Sequence, residues 1–373
     1  ESNMTGTANL SDGATYAPES ISKPVVKDGE FCFAVAYMDH GHIFGQTNGL
    51  LEAGGTLVAA FEPSAEKRAE FVSRYGDIPF VDEFSELLDD SRIQLIASAA
   101  IPNRRSDIGL QVMAAGKDYF TDKSPFTTLT QLEAVRAACG ESGQKYWVYY
   151  AERLHNEAAW HAGELIKQGA IGQVLHVTNL APHRLSKASR PAWFFDKQQY
   201  GGILTDIGSH QAEQFLAYSG CRAARVSHAR VANLNNPDTP GLEDFGEFNL
   251  VAESGAAFYS RVDWFTPEGS PVWGDGRSFI VGTEGSLEIR KYCDAGRTSP
   301  ASLIIKTDQS SSEIIDCDNR IGYPFFGQLI LDSLNRTENA MTQTHILLAA
   351  ELSLRAQEFA ERAALESLME TAP

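Results

Sequence analysis

The sequence has few basic residues, few cysteines and no long apolar run. Its 31 Lys and Arg stand against 49 Asp and Glu, and the net charge of −18 argues against a protein that binds nucleic acid or an anionic membrane surface. No segment reaches the roughly 18 apolar residues of a membrane span. The five cysteines have no CxxC spacing, which indicates reduced thiols rather than a disulfide framework or a zinc site. We therefore expect a cytoplasmic protein without nucleic-acid or membrane partners and without a metal.

What is present is typical of a large globular protein. Hydrophobic residues make up 43% and charged residues 21% of the 373 residues, a length that favours two domains. Residues 1–29 show neither the basic nor the apolar stretch of a secretory signal. The pattern divides the chain into four segments. Residues 1–30 form a flexible N-terminal arm, and residues 31–150 form a Rossmann dinucleotide-binding domain. Residues 151–340 form an α+β substrate and oligomerisation domain, and residues 341–373 form a C-terminal helix packing near the first domain.

The two halves differ in their periodicity. Apolar runs at 31–38, 56–61 and 93–97 alternate with helical segments, as expected for a doubly wound parallel sheet with buried strands. Beyond residue 170, short strand-like segments follow one another between turn residues, and one helix is predicted among them at 205–219. This pattern predicts an open, mainly antiparallel sheet with helices on one face.

The turn after the first strand is the expected place for a dinucleotide. Its residues Asp39, His40, Gly41 and His42 keep one glycine of the usual glycine-rich turn, so the motif alone is weak. Glu62 ends the next strand, where a carboxylate accepts hydrogen bonds from a ribose and repels a 2′-phosphate. This arrangement favours NAD over NADP, although a doubly wound fold that binds no nucleotide is an open alternative.

Two further segments carry candidate catalytic groups. Lys123 follows a short strand and points to the cofactor crevice, where its ammonium can hydrogen-bond a substrate hydroxyl and lower its pKa; the alternative is a surface lysine in a loop. Asp206 and His210 lie four residues apart, on one face of a predicted helix, so the carboxylate could orient an imidazole base. The alternative is a helix cap followed by a partly buried histidine.

These segments, in this order, resemble the glucose–fructose oxidoreductase/inositol dehydrogenase (Gfo/Idh/MocA) family. The resemblance covers residues 31–370 and rests on matching motifs: Glu62, Ile101-Pro102-Asn103, Ala115-Gly116-Lys117-Asp118, Asp122-Lys123-Ser124-Pro125, Gly169-Ala170-Ile171-Gly172, Trp193, Gly201-Gly202, Asp206-Ile207-Gly208-Ser209-His210 and Gly282-Thr283-Glu284-Gly285. Departures from the family pattern are Tyr37 and Asp39 where glycine is preferred, Ser124 between lysine and proline, and Ser106 where histidine is common.

The resemblance implies an NAD(P)-dependent oxidoreductase that moves a hydride between nicotinamide and one carbon of a sugar, cyclitol or related polyol. By position, Lys123 would hold and polarise the hydroxyl, His210 would be the general base, and Asp206 would orient it or bind substrate. The implied cofactor-binding residues are Asp39, His40, Gly41, His42, Glu62, Pro102, Asn103 and Lys123. Members usually form dimers or tetramers through the C-terminal sheet.

Substrate-side candidates lie around the junction between the two predicted domains. They are Arg153, His155, His183, Arg190 and Trp193. Guanidinium groups suit a polyhydroxylated or carboxylated ligand, and an indole can stack on a sugar or on nicotinamide. The alternative is ordinary loop packing and surface charge.

Other functional classes stay open at this point. One is a redox-assisted lyase, epimerase or glycosidase that retains its NAD, and another is a non-catalytic sugar or nucleotide sensor. A metal-dependent isomerase or hydrolase is a further alternative, although its candidate ligands show no recognised spacing: His155, His161, His183, His210 and Asp206.

Overall fold

The computed structural model describes residues 10–294, 296 and 301–371. Its first half is a parallel sheet, as predicted, and contains five strands in the order β2-β1-β3-β4-β5. The elements are β1 Cys32–Ala36, α1 His42–Glu52, β2 Thr56–Phe61, α2 Ala65–Tyr75, α3 Phe84–Asp89, β3 Leu95–Ser98, α4 Arg105–Ala114, β4 Asp118–Asp122, α5 Leu129–Ser142 and β5 Tyr146–Tyr149. All residues of β3, β4 and β5 are buried; β3 and β5 are largely apolar, whereas β4 also contains Asp118, Thr121 and Asp122.

The second half is built on an eight-stranded sheet of order β13-β12-β11-β10-β6-β9-β8-β7. Its elements are α6 Ala151–Leu154, α7 Glu157–Lys167, β6 Val174–Pro182, α8 Lys197–Tyr200, α9 Ile203–Ser219, β7 Ala224–Ala232, β8 Phe245–Ala252, β9 Ala257–Asp263, β10 Arg277–Gly282, β11 Gly285–Arg290, β12 Leu303–Asp308, β13 Ser312–Asp316, α10 Pro324–Asn335 and α11 Gln343–Thr371. Among the described strands of this second sheet, only β6 and β9 pair in parallel, so the mainly antiparallel prediction is confirmed.

Several local predictions differ from the structure. The strand predicted at 78–81 is reduced to one bridge between Ala60 and Phe80. The pattern missed β13, whose residues are mostly exposed and therefore lack the apolar alternation of a half-buried strand. It also missed α10, which begins at Pro324 and has no side-chain cap at its start. Proline suits the first turn of a helix, but it reads equally as a loop signal.

The N-terminal segment, predicted as a flexible arm, contacts both halves at several of its described residues. Ala17 is 5% exposed, and the Tyr16 ring packs against Trp273 and Tyr292 of the second half. Further along, the Val25 amide donates to the Ala53 carbonyl at the end of α1, at 2.9 Å. Residues 10–30 are thus packed against both halves, whereas residues 1–9 lie outside the described part.

The C-terminal helix α11, predicted to pack near the first domain, contacts both halves. Its start contacts the parallel sheet, because the Tyr146 amide donates to Gln343 at 2.8 Å. Further along, Gln357 accepts from the Leu204 amide at 3.0 Å and donates to Glu243, both in the second half. The helix therefore ties the two halves together. Among the described residues, no helix is both long and apolar enough to cross a membrane.

Candidate active site

A cleft lies between the two halves, at the carboxyl ends of β4 and β5. Ligands of doubly wound sheets bind at this edge, where strands end and loops begin. The cleft is lined by Gly13, Ala14, Tyr16, Pro18, His40, His42, Lys123, Tyr149, Ala151, Glu152, His155, His183, Arg190, Phe194, Asp206, His210, Trp264, Trp273 and Tyr292. The lining combines several ionisable groups with an aromatic wall, a composition typical of a small-molecule site.

Lys123 and Asp206 meet in this cleft. Lys123 directly follows β4, and Asp206 lies in the first turn of α9, where its carboxylate accepts a hydrogen bond from the lysine ammonium. The two side chains are only 6% and 15% exposed. Gly202 precedes α9 with φ of 98°, and a Cβ there would lie 2.3 Å from Gln357. Glycine is thus needed at the point that directs α9 into the cleft.

His210 lies one turn beyond Asp206 and is buried. Burial, followed by the nearby charge of Lys123, lowers the pKa of His210 well below its usual value, so the imidazole is neutral at ordinary pH. Its Nδ1 atom has no hydrogen-bond partner among the described residues. The structure pairs Asp206 with Lys123, and the expectation that Asp206 orients His210 or binds substrate stays a prediction.

Asp122 belongs to the Asp122-Lys123-Ser124-Pro125 motif, but the sequence patterns gave it no role in the site. It is buried and accepts hydrogen bonds from His42 at 2.8 Å and from Arg105 at 3.2 Å. Burial alone raises the pKa of a carboxyl group, but His42 and Arg105 outweigh it and hold the pKa of Asp122 well below its usual range. Asp122 thus carries a fixed negative charge directly beside Lys123.

His40 and His42 surround the same carboxylate. Together with Asp122 they place possible ligand atoms within 4.8 Å of one another, a grouping that could hold a metal ion. However, the Arg105 guanidinium lies 3.2 Å from Asp122 and the Lys123 ammonium is nearby, and both would repel a divalent cation. We interpret the group as a hydrogen-bonded charge network, and the expectation of no metal site stays a prediction.

The predicted cofactor residues are only partly brought together. His40, His42 and Lys123 line the cleft, and Gly41 lies between the two histidines at the start of α1. Asp39 forms an ion pair with Lys67 at 2.6 Å, so its charge is neutralised locally. Pro102 and Asn103 form a short 3₁₀ turn before α4 and are not on the wall of the cleft.

Glu62 lies at the end of β2 with both carboxylate oxygens engaged. They accept the backbone N–H groups of Met38 at 2.6 Å and of Ser64 at 2.8 Å. The carboxylate therefore ties the turn after β1 to the turn after β2. Each oxygen keeps a second lone pair that could accept a ribose hydroxyl.

Three of the five substrate-side candidates lie on the cleft wall. They are His155, His183 and Arg190, whereas Trp193 is buried beside the cleft and the aromatic wall comes from Phe194, Trp264 and Trp273. His183 lies 3.7 Å from Glu152, a buried carboxylate that the sequence analysis missed although it directly precedes Arg153. One oxygen of Glu152 has no hydrogen-bond partner among the described residues.

Arg153 does not face the cleft. Its guanidinium donates to both oxygens of Glu213, with Nε–O distances of 3.0 and 2.9 Å, and its side chain is 8% exposed. His345 of α11 contacts the same carboxylate at 2.8 Å. Burial raises the pKa of Glu213, but Arg153 and His345 outweigh it and lower the value to about 2. Arg153 is therefore a buried structural ion-pair partner.

Family models match both halves of the chain. Residues 35–150 match an oxidoreductase family with an NAD-binding Rossmann fold, and residues 160–288 match the GFO/IDH/MocA C-terminal domain. The chain belongs to the Gfo/Idh/MocA family of oxidoreductases. The resemblance found in the sequence motifs is thus confirmed.

Individual Gfo/Idh/MocA relatives extend this finding. A structure from Erwinia carotovora atroseptica, provisionally described as an oxidoreductase, is 43% identical, with a TM-score of 0.86 over 89% of this chain and 99% of that one. D-xylose dehydrogenase of Paenarthrobacter nicotinovorans is 22% identical over 61% of this chain and 56% of its own length. The NADP(+) scyllo-inositol 2-dehydrogenase of Bacillus subtilis is 23% identical over 51% of this chain and 53% of its own length. The chain thus spans about half the length of these two curated relatives.

The family's dinucleotide fits one end of the cleft better than the other. Near Lys123, a fixed ammonium, neutral imidazoles and aromatic rings suit a nicotinamide ring beside a hydroxylated substrate. At the start of α1, where a Rossmann fold places the pyrophosphate, a Cβ on Gly41 would lie 2.3 Å from the Ala14 carbonyl oxygen. The chain's own N-terminal segment therefore fills the pyrophosphate end.

Proposed function

We propose that this chain is an NAD-dependent dehydrogenase acting on a carbon-bound hydroxyl of a sugar, cyclitol or related polyol. The observation that carries the proposal is the meeting of Lys123, Asp206 and a neutral His210 in one buried cleft of a Gfo/Idh/MocA fold. The names of the two curated relatives, a xylose and an inositol dehydrogenase, support a polyol rather than another class of alcohol.

The three side chains have complementary roles in this proposal. The Lys123 ammonium donates a hydrogen bond to the substrate oxygen and stabilises the alkoxide character that develops as the hydroxyl loses its proton. His210, being neutral, accepts that proton, while Asp206 accepts a hydrogen bond from Lys123 and so fixes the direction of its ammonium. Bound NAD would supply the hydride acceptor, and His40, His42 and Glu62 are the residues that we propose would hold it.

The buried state of His210 gives this chemistry a testable pH dependence. Because burial lowers the pKa of His210 below its usual value of about 6.5, the base form persists as the pH falls through that value. We expect kcat/KM for oxidation to change less than about twofold between pH 8 and pH 6. If kcat/KM instead fell tenfold per pH unit below an apparent pKa near 6.5, and if the His210→Gln variant lacked this pH dependence, the imidazole would titrate normally.

The choice of NAD over NADP rests on Glu62. Two backbone N–H groups hold its carboxylate at the end of β2, and a fixed negative charge there would repel a 2′-phosphate. Denaturing the purified protein to identify released dinucleotide, followed by titration with NAD and NADP, tests both cofactor and selectivity. We expect NAD to bind at least tenfold more tightly than NADP. Failure to bind either would contradict the proposed function.

We also propose that the chain forms a homodimer or homotetramer through the open face of its eight-stranded sheet. Along β10 the burial alternates, and Phe279 and Val281 are 37% and 46% exposed on the same face. Apolar side chains aligned on a strand are typical of a surface that another subunit covers. Sedimentation of the full chain as a monomer at micromolar concentration would contradict this proposal.

A further inference from the structure

Residues 10–18, which we call the strap, bridge the two halves across the cleft. The Trp273 amide donates to the Leu10 carbonyl at 2.6 Å, and Arg184 donates to the Ser11 carbonyl at 2.7 Å. On the opposite side, His42 Nε2 contacts the Gly13 carbonyl at 3.1 Å. The strap is therefore joined to the second half near its beginning and to the start of α1 near its middle.

The strap also has a defined internal shape. Asp12 accepts hydrogen bonds from the Ala14 amide at 3.0 Å and from the Thr15 hydroxyl at 3.1 Å, which closes a tight turn. Beyond that turn, the Tyr16 ring contacts the Trp273 and Tyr292 rings, with centroids 5.7 and 5.6 Å away. The turn presents the carbonyl groups of residues 13 and 14 to α1.

Those carbonyl groups lie where a dinucleotide pyrophosphate would lie. In doubly wound folds the pyrophosphate contacts the turn after β1 and the start of the following helix, where backbone groups approach closely. Here a Cβ on Gly41 would lie 2.3 Å from the Ala14 oxygen, and the Gly13 oxygen contacts His42. The negative ends of two carbonyl dipoles occupy that place, so an anion cannot share it.

Hydrogen bonding within the turn after β1 fits the same arrangement. The Tyr37 amide donates to Phe61, the Met38 amide to Glu62, and the His40 amide to Ala99, with N–O distances of 3.1, 2.6 and 2.9 Å. These donors are therefore satisfied within the protein and do not require an anion. A pyrophosphate would depend on the start of α1 and on His42, which are the groups that the strap covers.

We propose that the strap and the dinucleotide compete for the start of α1, so that residues 10–18 must leave before NAD binds. The proposal rests on the proposed function, because it requires that the chain binds a dinucleotide. The strap then acts as an autoinhibitory contact within the chain. The apparent affinity for NAD is then the affinity of the open cleft multiplied by the fraction of molecules in which the strap has left it.

Strap variants of the full chain test this competition. Asp12→Ala removes the acceptor that closes the turn, and Tyr16→Ala removes the ring that packs on Trp273 and Tyr292. We expect each to bind NADH at least tenfold more tightly than the unaltered chain, measured by equilibrium titration. Asp28→Ala is the matched control, because Asp28 is an exposed residue of the same N-terminal segment that bonds Thr56, away from the cleft. Its affinity should stay within about twofold.

Hydrogen–deuterium exchange provides a readout that does not depend on the folding of any variant. In the unaltered full chain, saturating NADH should accelerate amide exchange in residues 10–18 at least tenfold. Equal affinities in all variants, or unchanged exchange with NADH bound, would overturn the strap proposal and leave the dehydrogenase proposal standing. Absence of NADH binding in every variant would overturn both, so the two failures are distinguishable.

Discussion

We expect the Lys123→Ala variant to lose about 100-fold to 10,000-fold of the wild-type turnover, the range that a positioned acid–base group contributes. Lys123 is the cation at the carboxyl end of β4 that can reach a substrate oxygen, and Asp206 and Asp122 fix its surroundings. Without the ammonium, the developing alkoxide would lie near the carboxylates of Asp206 and Asp122, and residue 123 would carry no positive charge to stabilise it. Steady-state rates with a polyol that the wild type oxidises provide the measurement.

A matched lysine variant separates this effect from a general change of charge. Lys167→Ala removes a cation that is 67% exposed on α7 and pairs with Glu164 at 2.9 Å. Its turnover should stay within about twofold of wild type. Lys167→Ala should also keep the wild-type unfolding midpoint, and the circular dichroism spectrum of Lys123→Ala at the assay temperature should show that this variant is folded. Near-wild-type turnover in Lys123→Ala would refute the role given to this residue.

Glu213→Ala should lower the free energy of unfolding by about 3–5 kcal/mol, because it leaves a buried guanidinium without its counter-charge. Arg153 is 8% exposed and Glu213 is fully buried, and His345 of α11 shares the same carboxylate. The variant therefore breaks a junction between α6, α9 and α11. Urea unfolding monitored by circular dichroism gives the difference, provided that both proteins unfold in one transition.

An exposed ion pair provides the comparison for this stability prediction. Glu133 is 58% exposed and pairs with Arg136, so Glu133→Ala should cost about 1 kcal/mol or less. If Glu213→Ala also changed the free energy of unfolding by less than about 1 kcal/mol, the buried pair would not be a structural junction. Arg153 would then again be a candidate for ligand binding.

The fold was predictable because burial leaves a direct trace in the sequence. The strands β3 and β5 are buried along their whole length, and their apolar runs mark them. Parallel strands end at one edge of their sheet, which explains why a residue following β4 could be assigned to the cleft before its neighbours were known. Exposed β13 leaves no such trace.

The partners of the site residues were not predictable from local spacing. Asp206 and His210 are four apart on a helix, but Asp206 pairs with Lys123, 83 positions away in the chain. Arg153 finds Glu213 across 60 positions, and nothing near it in the sequence marks that pairing. Such contacts depend on how the two halves pack, which periodicity does not encode.

The N-terminal segment shows a second limit of sequence patterns. Its small and polar residues, with no period, are typical of a flexible arm. In the structure its position depends largely on backbone carbonyls, such as those of Leu10 and Gly13, that accept hydrogen bonds from distant groups. Every residue has such a carbonyl, so composition cannot reveal which ones are used.

The central claim is that this cleft transfers a hydride from a polyol to NAD with the help of Lys123. The most direct test incubates the full chain and its Lys123→Ala variant with NAD and a panel of sugars, cyclitols and linear polyols, and follows the absorbance of reduced nicotinamide. We predict that at least one compound yields NADH with the wild type and that the variant yields it at least 100-fold more slowly. Bound NAD that no polyol reduces, or equal rates in both proteins, would contradict the account.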